Sequence, residues 1–437
     1  MSDKNASPNI KSYEIITEDL VKETLQNDRG KNAELLSWEL KDFTNKGDGY
    51  MSVITSIQVK FKENGEMFEK SYVAKLNPLR PKSSLNDLTE GAFYHEITIL
   101  FNVIEDMNKE LETLGLPRIK TPKIYSKTEE KEKEGFITEN LRTQGFVLHD
   151  RMKGQDLNHA LLVVEELGRF HASSLLLEET IAPKTFLETY DNFEEPYLEV
   201  NSPTFKPFEV LFTSQAEGAI KYLKSFPKYE KCVNWIKTNG PSFYKIYIEA
   251  FIPNKPFDVL VHGDSWTNNM LFKYDEKNKP IDIRFVDLQC SRKASPAVDL
   301  VYFFYTSLDG DVRSKYFNDL LFAYYQSFSR VLNLAQMTVP FSFKELQNEV
   351  EKRKIFGIVT GIFIVQGVLF ASEDEIWDFN ELTDDNIEEF TETQKKNAQK
   401  IGNREGPFKD RFLSLFDDML ESNVFWEETG VQRKNIS

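Results

Sequence analysis

The chain has 437 residues, which is enough for two or three domains or for one large enzyme of two lobes. Hydrophobic residues make up 40% and aromatic residues 13% of the chain, which excludes an intrinsically disordered protein. The 70 acidic and 54 basic residues give a formal net charge of −16, which repels nucleic acid and anionic membrane surfaces. We therefore expect neither a nucleic-acid partner nor a membrane partner.

The first residues of the chain and its two cysteines indicate the cellular compartment. Residues 1–10 are polar and lack the apolar core of a signal peptide, and no run approaches the roughly 18 apolar residues of a membrane span. Cys232 and Cys290 are too few for a disulfide framework and have no partner at metal-ligand spacing. We expect a cytoplasmic protein in which both thiols are packed.

The first elements predicted along the chain are a helix and a β-hairpin. Thr17 can cap a helix over residues 16–25. Residues 50–61 are rich in β-branched and aromatic side chains that alternate with polar ones, which predicts a strand. Asn64-Gly65 is a hairpin turn signal, and residues 67–76 form the return strand.

A helix and two further strands complete the smaller unit. Apolar residues recur at helical spacing over residues 88–112. The charged run 127–134 cannot be buried, so we predict an exposed turn there between two strands, the second at 136–141.

The pattern beyond this point is mainly helical. A short β-rich insert over residues 258–286 interrupts it. The predicted fold class is therefore α+β, with a small β-rich N-lobe and a larger helical C-lobe. The helical spacing covers residues 158–177, 208–226, 229–251, 315–334, 343–370 and 409–421.

The densest chemical signal is a polar loop between two apolar runs, within residues 259–272. Asp264 and Asn269 lie in this loop, and Asp287 ends the next strand. Phosphoryl transfer needs a carboxylate for the proton of the attacking hydroxyl, and an amide oxygen plus a second carboxylate to hold Mg²⁺. The spacing matches kinase catalytic loops. We predict Asp264 as the base and Asn269 and Asp287 as metal ligands; the alternative is an ordinary polar hairpin.

A site of this kind also needs a lysine on the third strand of the small lobe, where an ammonium can neutralise phosphate charge. Val73-Ala74-Lys75-Leu76 resembles the V-A-I-K strand of kinases, so Lys75 joins Asp264 and Asn269 in the predicted catalytic set. The alternative is a solvent-facing strand lysine. The partner glutamate should lie on the following helix, with Glu90 as first choice and Glu96 as second.

The remaining nucleotide contacts are predicted from where residues lie relative to the strands of the small lobe. Gly47 and Gly49 precede the first strand, where bare backbone amides can approach phosphate oxygens, and Ser52 adds a hydroxyl donor. The adenine-binding hinge should follow the last strand of the small lobe, so Glu139 and Leu141 are expected to bind through backbone groups. ATP and Mg²⁺ are the expected cofactors.

The segment after Asp287 is too short for a protein kinase. The eight residues from Cys290 to Ala297 leave no room for the long activation segment that binds a polypeptide. The acceptor is therefore expected to be a small molecule. Asp299 and His262 are expected to brace the catalytic loop rather than take part in chemistry.

These residues resemble the ecdysteroid kinase-like, or CHK kinase-like, family, whose relatives include choline kinase and the aminoglycoside phosphotransferases. The resemblance implies a protein-kinase-like fold of two lobes, ATP with Mg²⁺, and transfer of the γ-phosphoryl group to a hydroxyl, which in the best known members belongs to a steroid hormone. The motifs that carry it are Gly47-Asp48-Gly49-Tyr50-Met51-Ser52, Val73-Ala74-Lys75, Glu90-Gly91-Ala92-Phe93-Tyr94, Leu167-Gly168-Arg169-Phe170-His171-Ala172, His262 to Asn269, Val286-Asp287-Leu288-Gln289 and Pro296-Ala297-Val298-Asp299-Leu300.

We therefore expect an N-terminal tail and helix over residues 1–40, a nucleotide-binding N-lobe over 41–141, and a C-lobe over 142–437 that carries the catalytic loop and binds the acceptor. The alternatives are a nucleotide-binding sensor without turnover and a kinase of the choline or aminoglycoside type. The acidic run 372–393 is a candidate contact for the cationic acceptor of such a kinase, although a run of this kind is more often a solvated loop. Aromatic residues of the C-lobe are candidates for the acceptor pocket, although such spacing more often marks a core; they are Phe303, Phe304, Tyr305, Phe322, Tyr324 and Tyr325.

Overall fold

The computed structural model describes residues 10–43, 52–79, 86–193, 205–367 and 407–422, with a few single positions between 368 and 406. Two hydrophobic cores organise these residues. The smaller core lies in the N-terminal part, between the main sheet and the first long helix. The larger core unites the helices of the C-terminal part. The predicted α+β class, with a β-rich N-lobe and a larger helical C-lobe, is confirmed.

The N-lobe is built on a five-stranded antiparallel sheet in the order β1-β2-β3-β5-β4. Helix α2 packs on β4, and the hydroxyl of Thr17 accepts a hydrogen bond from Leu20 N at 3.2 Å, so the predicted N-cap is confirmed. The elements are α1 (Ile10–Tyr13), α2 (Glu18–Arg29), β1 (Glu34–Asp42), β2 (Val53–Glu63), β3 (Glu66–Leu76), β4 (Ile124–Thr128) and β5 (Gly135–Glu139).

Strand β1 corrects the expectation of a tail and helix over residues 1–40. It pairs along its length with β2 and forms one edge of the sheet. Leu36, Trp38 and Leu40 alternate with polar residues in the period of a strand, although most side chains of this edge strand are exposed.

The β2–β3 hairpin turns where the sequence predicts it. Asn64 and Gly65 both have positive φ angles, +52° and +90°, as a tight hairpin of this hand requires. Along β3, Tyr72 and Ala74 are buried in the small core, so the alternating positions, including Lys75, face the opposite side of the sheet. That side faces the C-lobe.

One continuous helical segment follows the sheet's central hairpin and corresponds to the helix predicted over 88–112. It consists of α3 (Asn86–Thr98), one wider π-helical turn (Ile99–Val103) and α4 (Ile104–Thr113). The apolar side chains of α4 join the larger core, so this segment ties the N-lobe sheet to the C-lobe.

The C-lobe centres on α10, all of whose residues are buried. The helix predicted over 229–251 is instead broken at Gly240–Ser242, because Pro241 lacks the N–H that a continuous helix needs. The helices are α5 (Leu157–Ile181), α6 (Phe186–Thr189), α7 (Phe205–Leu223), α8 (Glu230–Asn239), α9 (Phe243–Glu249), α10 (Pro296–Ser307), α11 (Gly310–Leu334), α12 (Phe343–Gly367) and α13 (Pro407–Glu421).

Two small sheets form the predicted β-rich insert and hold the chemistry-bearing loops. One contains β6 (Phe146–Leu148), β8 (Met270–Tyr274) and β9 (Pro280–Phe285), and the other pairs β7 (Val259–Val261) with β10 (Arg292–Ala294). Over the described ranges, every helix is too short or too polar to cross a bilayer.

Candidate active site

Lys75 of the N-lobe and Asp287 of the C-lobe meet in the cleft between the lobes. The Nζ atom of Lys75 lies 2.5 Å from Glu96 Oε2 and 2.6 Å from Asp287 Oδ1. Burial would lower the pKa of Lys75, but the carboxylates of Asp287 and Glu96 outweigh it, so the pKa lies above its ordinary value. Lys75 is therefore a fixed cation in the cleft rather than a solvent-facing strand lysine.

The partner of this lysine is Glu96, and our first choice, Glu90, was wrong. Glu90 lies six positions earlier on α3, about 240° around the helix, so it cannot face the same neighbour. Its carboxylate lies 3.6 Å from Lys131 instead. The side chain of Glu96 is only 2% exposed and points into the cleft.

Helix α3 is held in place by contacts with the segment after Asp287. Glu96 Oε1 accepts a hydrogen bond from Leu288 N at 3.1 Å, so this carboxylate binds both Lys75 and the chain beyond Asp287. The neighbouring His95 places its Nε2 atom 2.6 Å from the carbonyl oxygen of Ser291. Burial raises the pKa of Glu96, against the lowering effect of the Lys75 charge. The pair is thus a structural link between the lobes as well as part of the site.

The loop after β7 needs glycine at its second position. Gly263 has a φ of +82°, and a Cβ atom added there would lie 2.1 Å from the carbonyl oxygen of Cys290. This close approach brings the loop against the segment that follows Asp287.

Asp264 and Asn269 are in direct contact within this loop. Asn269 Nδ2 donates to Asp264 Oδ2 at 2.8 Å and to the backbone oxygen of Asp264 at 2.9 Å. Tyr302 of α10 donates its hydroxyl to Asp264 Oδ1 at 2.6 Å. Burial raises the pKa of Asp264, although the bonds from Tyr302 and Asn269 act in the other direction. A raised carboxyl pKa suits a group that accepts a proton during a reaction.

Asp299 and His262 brace the loop, as the sequence predicts. Asp299 is fully buried, and its carboxylate accepts hydrogen bonds from His262 N at 2.7 Å and Gly263 N at 2.9 Å. His171 Nε2 lies 2.9 Å from the same carboxylate, and Tyr324 lies on the other side of that ring. These bonds fix the backbone from which Asp264 projects.

The imidazole ring of His262 also stabilises the catalytic loop. Its Nε2 atom lies 3.1 Å from the carbonyl oxygen of Val286, and its Nδ1 atom accepts a hydrogen bond from Asp264 N at 3.3 Å. A neutral imidazole with the proton on Nε2 satisfies both contacts. His262 therefore links the loop to the strand that ends at Asp287.

Asp287 takes a left-handed backbone conformation, with φ +64° and ψ +60°. Val286 N donates to Asn269 O at 3.0 Å, so the two predicted metal ligands project from hydrogen-bonded segments. The amide nitrogen of Asn269 is occupied by Asp264, which leaves its side-chain oxygen as the free ligand atom, and Asp287 is 32% exposed to the cleft.

This donor set fits Mg²⁺. One carboxylate and one amide oxygen suit an ion that takes its other ligands from phosphates and water. Among the described residues there is no cluster of three or more His, Cys, Asp and Glu that could hold a metal by themselves.

The same cleft has apolar walls and is lined by several of the residues predicted to contact the nucleotide. Ser52, Glu139 and Leu141 line it, whereas Gly47 and Gly49 lie outside the described residues. The side chain of Glu139 accepts hydrogen bonds from Lys123 N and Gln144 Nε2, and its backbone N–H donates to Lys123 O at 2.9 Å, so that N–H is not free for a ligand. Sequence reasoning missed the apolar wall residues, whose common face becomes visible only in the folded chain: Ile54, Val73, Leu100, Phe136, Leu148 and Leu271.

The aromatic residues proposed for an acceptor pocket do not line this cleft. Phe303, Phe304, Tyr305 and Tyr324 are buried members of the larger core, and Phe322 is exposed on the surface. At four of the six positions the aromatic spacing therefore marks a core, as is usual for helices. The acidic run 372–393 lies almost wholly outside the described residues.

The fold and the site together define a kinase-type active centre. A lysine–glutamate pair on a small β-rich lobe faces an asparagine and an aspartate on a helical lobe across one cleft, and a second aspartate contacts that asparagine.

The chain belongs to the ecdysteroid kinase-like family, because the sequence model of that family matches residues 46–337, well over half of the chain. The family inferred from the motifs is thus confirmed, and membership points to a small-molecule kinase. The comparison with curated proteins found no match.

Three solved structures show a distant likeness. A Plasmodium vivax ethanolamine kinase has 13% identity and a TM-score of 0.37, covering 89% of this chain and 85% of its own. The AMP-bound complex of spectinomycin phosphotransferase has 11% identity and a TM-score of 0.35, covering 81% and 90%. A glucosamine kinase has 12% identity and a TM-score of 0.35, covering 87% and 80%. The family match, rather than these likenesses, supports a function in small-molecule phosphorylation.

Proposed function

We propose that this protein transfers the γ-phosphoryl group of ATP, with Mg²⁺, to a hydroxyl group of a small acceptor, and that an ecdysteroid is the first acceptor to test. Membership in the ecdysteroid kinase-like family supports the choice of an ecdysteroid as acceptor. The observation that carries the proposal is the position of Lys75, whose ammonium lies between Glu96 and Asp287 in the same cleft as Asn269.

In this proposal the cleft holds the nucleotide between its two lobes. Lys75 neutralises phosphate charge and is oriented by Glu96, while the apolar walls near Leu141 take the adenine. Ser52 contacts the phosphates from the N-lobe side of the cleft. Asn269 and Asp287 hold Mg²⁺, which when bound neutralises charge on the transferred group.

Asp264 acts on the acceptor. The acceptor oxygen bonds to the γ-phosphorus, the bond between that phosphorus and the bridging oxygen breaks, and ADP leaves with the electron pair. The hydroxyl proton passes to the carboxylate of Asp264. The hydrogen bond between Asp264 and Asn269, one of the two proposed metal ligands, supports this role.

The test uses the purified full chain with ATP, Mg²⁺ and a panel of acceptors. The panel contains several ecdysteroids, and ethanolamine, glucosamine and spectinomycin as competitors for the acceptor role. We expect an ecdysteroid to gain one phosphate by mass spectrometry. Asp264→Asn should lower the rate by about a hundredfold or more, because general-base catalysis contributes that much, while nucleotide binding is retained.

Two other results would overturn part or all of this proposal. Transfer to an amino alcohol or amino sugar, with none to any steroid, would keep the kinase and overturn the ecdysteroid assignment. Binding of ATP with no transfer to any acceptor, unaffected by Asp264→Asn, would identify a nucleotide-binding sensor and overturn the enzymatic proposal.

A further inference from the structure

We propose that Tyr302 is a positioning residue for the base, and that its hydroxyl holds the carboxylate of Asp264 in the orientation required to reach an acceptor. This inference rests on the proposed function, because it presumes that Asp264 is the base. Tyr302 belongs to none of the residues to which sequence patterns give a role, and only the folded chain brings it to Asp264.

The carboxylate of Asp264 is held at both oxygens by groups from different elements. Oδ1 accepts from the Tyr302 hydroxyl at 2.6 Å, and Oδ2 accepts from Asn269 Nδ2 at 2.8 Å. The terminal torsion of an aspartate is broad when nothing restrains it. Two donors on the two oxygens fix both this torsion and the side-chain direction, so removal of either donor frees the carboxylate to rotate.

The bond from Tyr302 has the geometry of a strong contact. Its oxygen–oxygen distance of 2.6 Å lies in the range of about 2.5–2.7 Å that is typical when a hydroxyl donates to an ionised carboxylate. Tyr302 is only 3% exposed, and its ring packs against Phe356 of α12 with centroids 6.1 Å apart. The ring therefore has little freedom, and its hydroxyl is a rigid donor.

A single helix supports the catalytic loop in two ways. Asp299, one turn before Tyr302 on α10, binds the backbone amides of His262 and Gly263. Residues three apart on a helix share a face. Asp299 thus places the backbone of the loop, and Tyr302 places the side chain of its base.

The expected consequence is a loss of rate without a loss of nucleotide affinity. Tyr302 does not line the nucleotide cleft, so the KM for ATP should be unchanged. A misplaced catalytic group typically costs about a hundredfold in rate. We expect Tyr302→Phe, which keeps the ring and removes the hydroxyl, to lower kcat by about 10- to 100-fold.

The experiment measures transfer of label from γ-labelled ATP to 20-hydroxyecdysone by the full chain, with Mg²⁺-dependent hydrolysis of ATP as a second readout in which water is the acceptor. Tyr305→Phe is the matched control, because Tyr305 lies one turn further along α10, is equally buried and does not contact Asp264. It should keep the wild-type kcat. In an Asp264→Asn background, Tyr302→Phe should cause no further loss.

The remaining outcomes separate this inference from the proposed function. A wild-type chain that hydrolyses no ATP and transfers no label to 20-hydroxyecdysone or to any other acceptor of the panel would overturn the proposed function and this inference with it. An active wild type with an unchanged kcat in Tyr302→Phe would overturn the inference alone. Equal losses in Tyr302→Phe and Tyr305→Phe would also overturn it, since they would report packing rather than the hydroxyl.

Discussion

At the scale of single residues, the two glutamates of α3 offer a direct test of the site. Glu96 pairs with Lys75, whereas Glu90 pairs with Lys131 at the surface. We expect Glu96→Gln to lower kcat/KM for ATP by about 10- to 100-fold, because a hydrogen bond to a charged group contributes about 1.5–3 kcal/mol and each 1.4 kcal/mol is tenfold. Steady-state kinetics with varied ATP measures this loss.

Glu90→Gln is the matched control on the same helix and should stay within about twofold of wild type, because Glu90 faces the exposed Lys131 rather than the cleft. Urea unfolding of both variants shows whether any loss of rate reflects loss of folded protein. A larger loss in Glu90→Gln than in Glu96→Gln would contradict the assignment of the lysine partner.

These residues also show how far sequence reasoning reaches. Lys75, Asp264, Asn269 and Asp287 could be predicted because each lies in a short motif with a fixed spacing, and the structure brings them together. The choice between glutamates could not be made, since it depends on how α3 rotates against its neighbours. Tyr302 could not be predicted at all, because no motif marks it and its contact with Asp264 exists only in the folded chain.

At the scale of elements, the fully buried Asp299 connects α5, α10 and the catalytic loop. Burial opposes the ionisation of Asp299, but the hydrogen bond and charge of His171 and the amide of His262 outweigh it, so its pKa lies below the ordinary value. A carboxylate with a lowered folded pKa contributes stability above its unfolded pKa, and this contribution is lost as pH falls through the folded pKa.

We therefore expect Asp299→Asn to destabilise the chain by about 2–4 kcal/mol at neutral pH, because a buried hydrogen-bond network loses its charged acceptor. As pH falls below about 4, the difference from wild type should shrink, since wild type then loses the same contribution. Urea unfolding across a pH series measures both effects. Asp319→Asn, at an exposed position of α11, is the control; an equal loss there would count against the network.

Helices and strands could be predicted where a local sequence pattern, such as a strand period or a turn signal, determines them. The β2–β3 hairpin follows from the strand period and the Asn64-Gly65 turn. Strand β1 was missed although Leu36, Trp38 and Leu40 alternate with polar residues, which is a usable strand signal. The break at Gly240–Ser242 was missed because the apolar spacing continues through it, although Pro241 gave a usable signal.

At the scale of the whole molecule, the lobes meet at the ion pair between Lys75 and Asp287, so a nucleotide in the cleft contacts both. A ligand at 100 times its Kd stabilises the folded state by about 2.7 kcal/mol. We expect an ATP analogue that resists hydrolysis to raise Tm by several degrees with Mg²⁺ and by less with EDTA.

Lys75→Met should abolish most of this rise in Tm. Lys70→Met, on the same strand, removes a pairing with Asp28 and should keep the rise. Equal shifts in both variants would remove Lys75 from the nucleotide site.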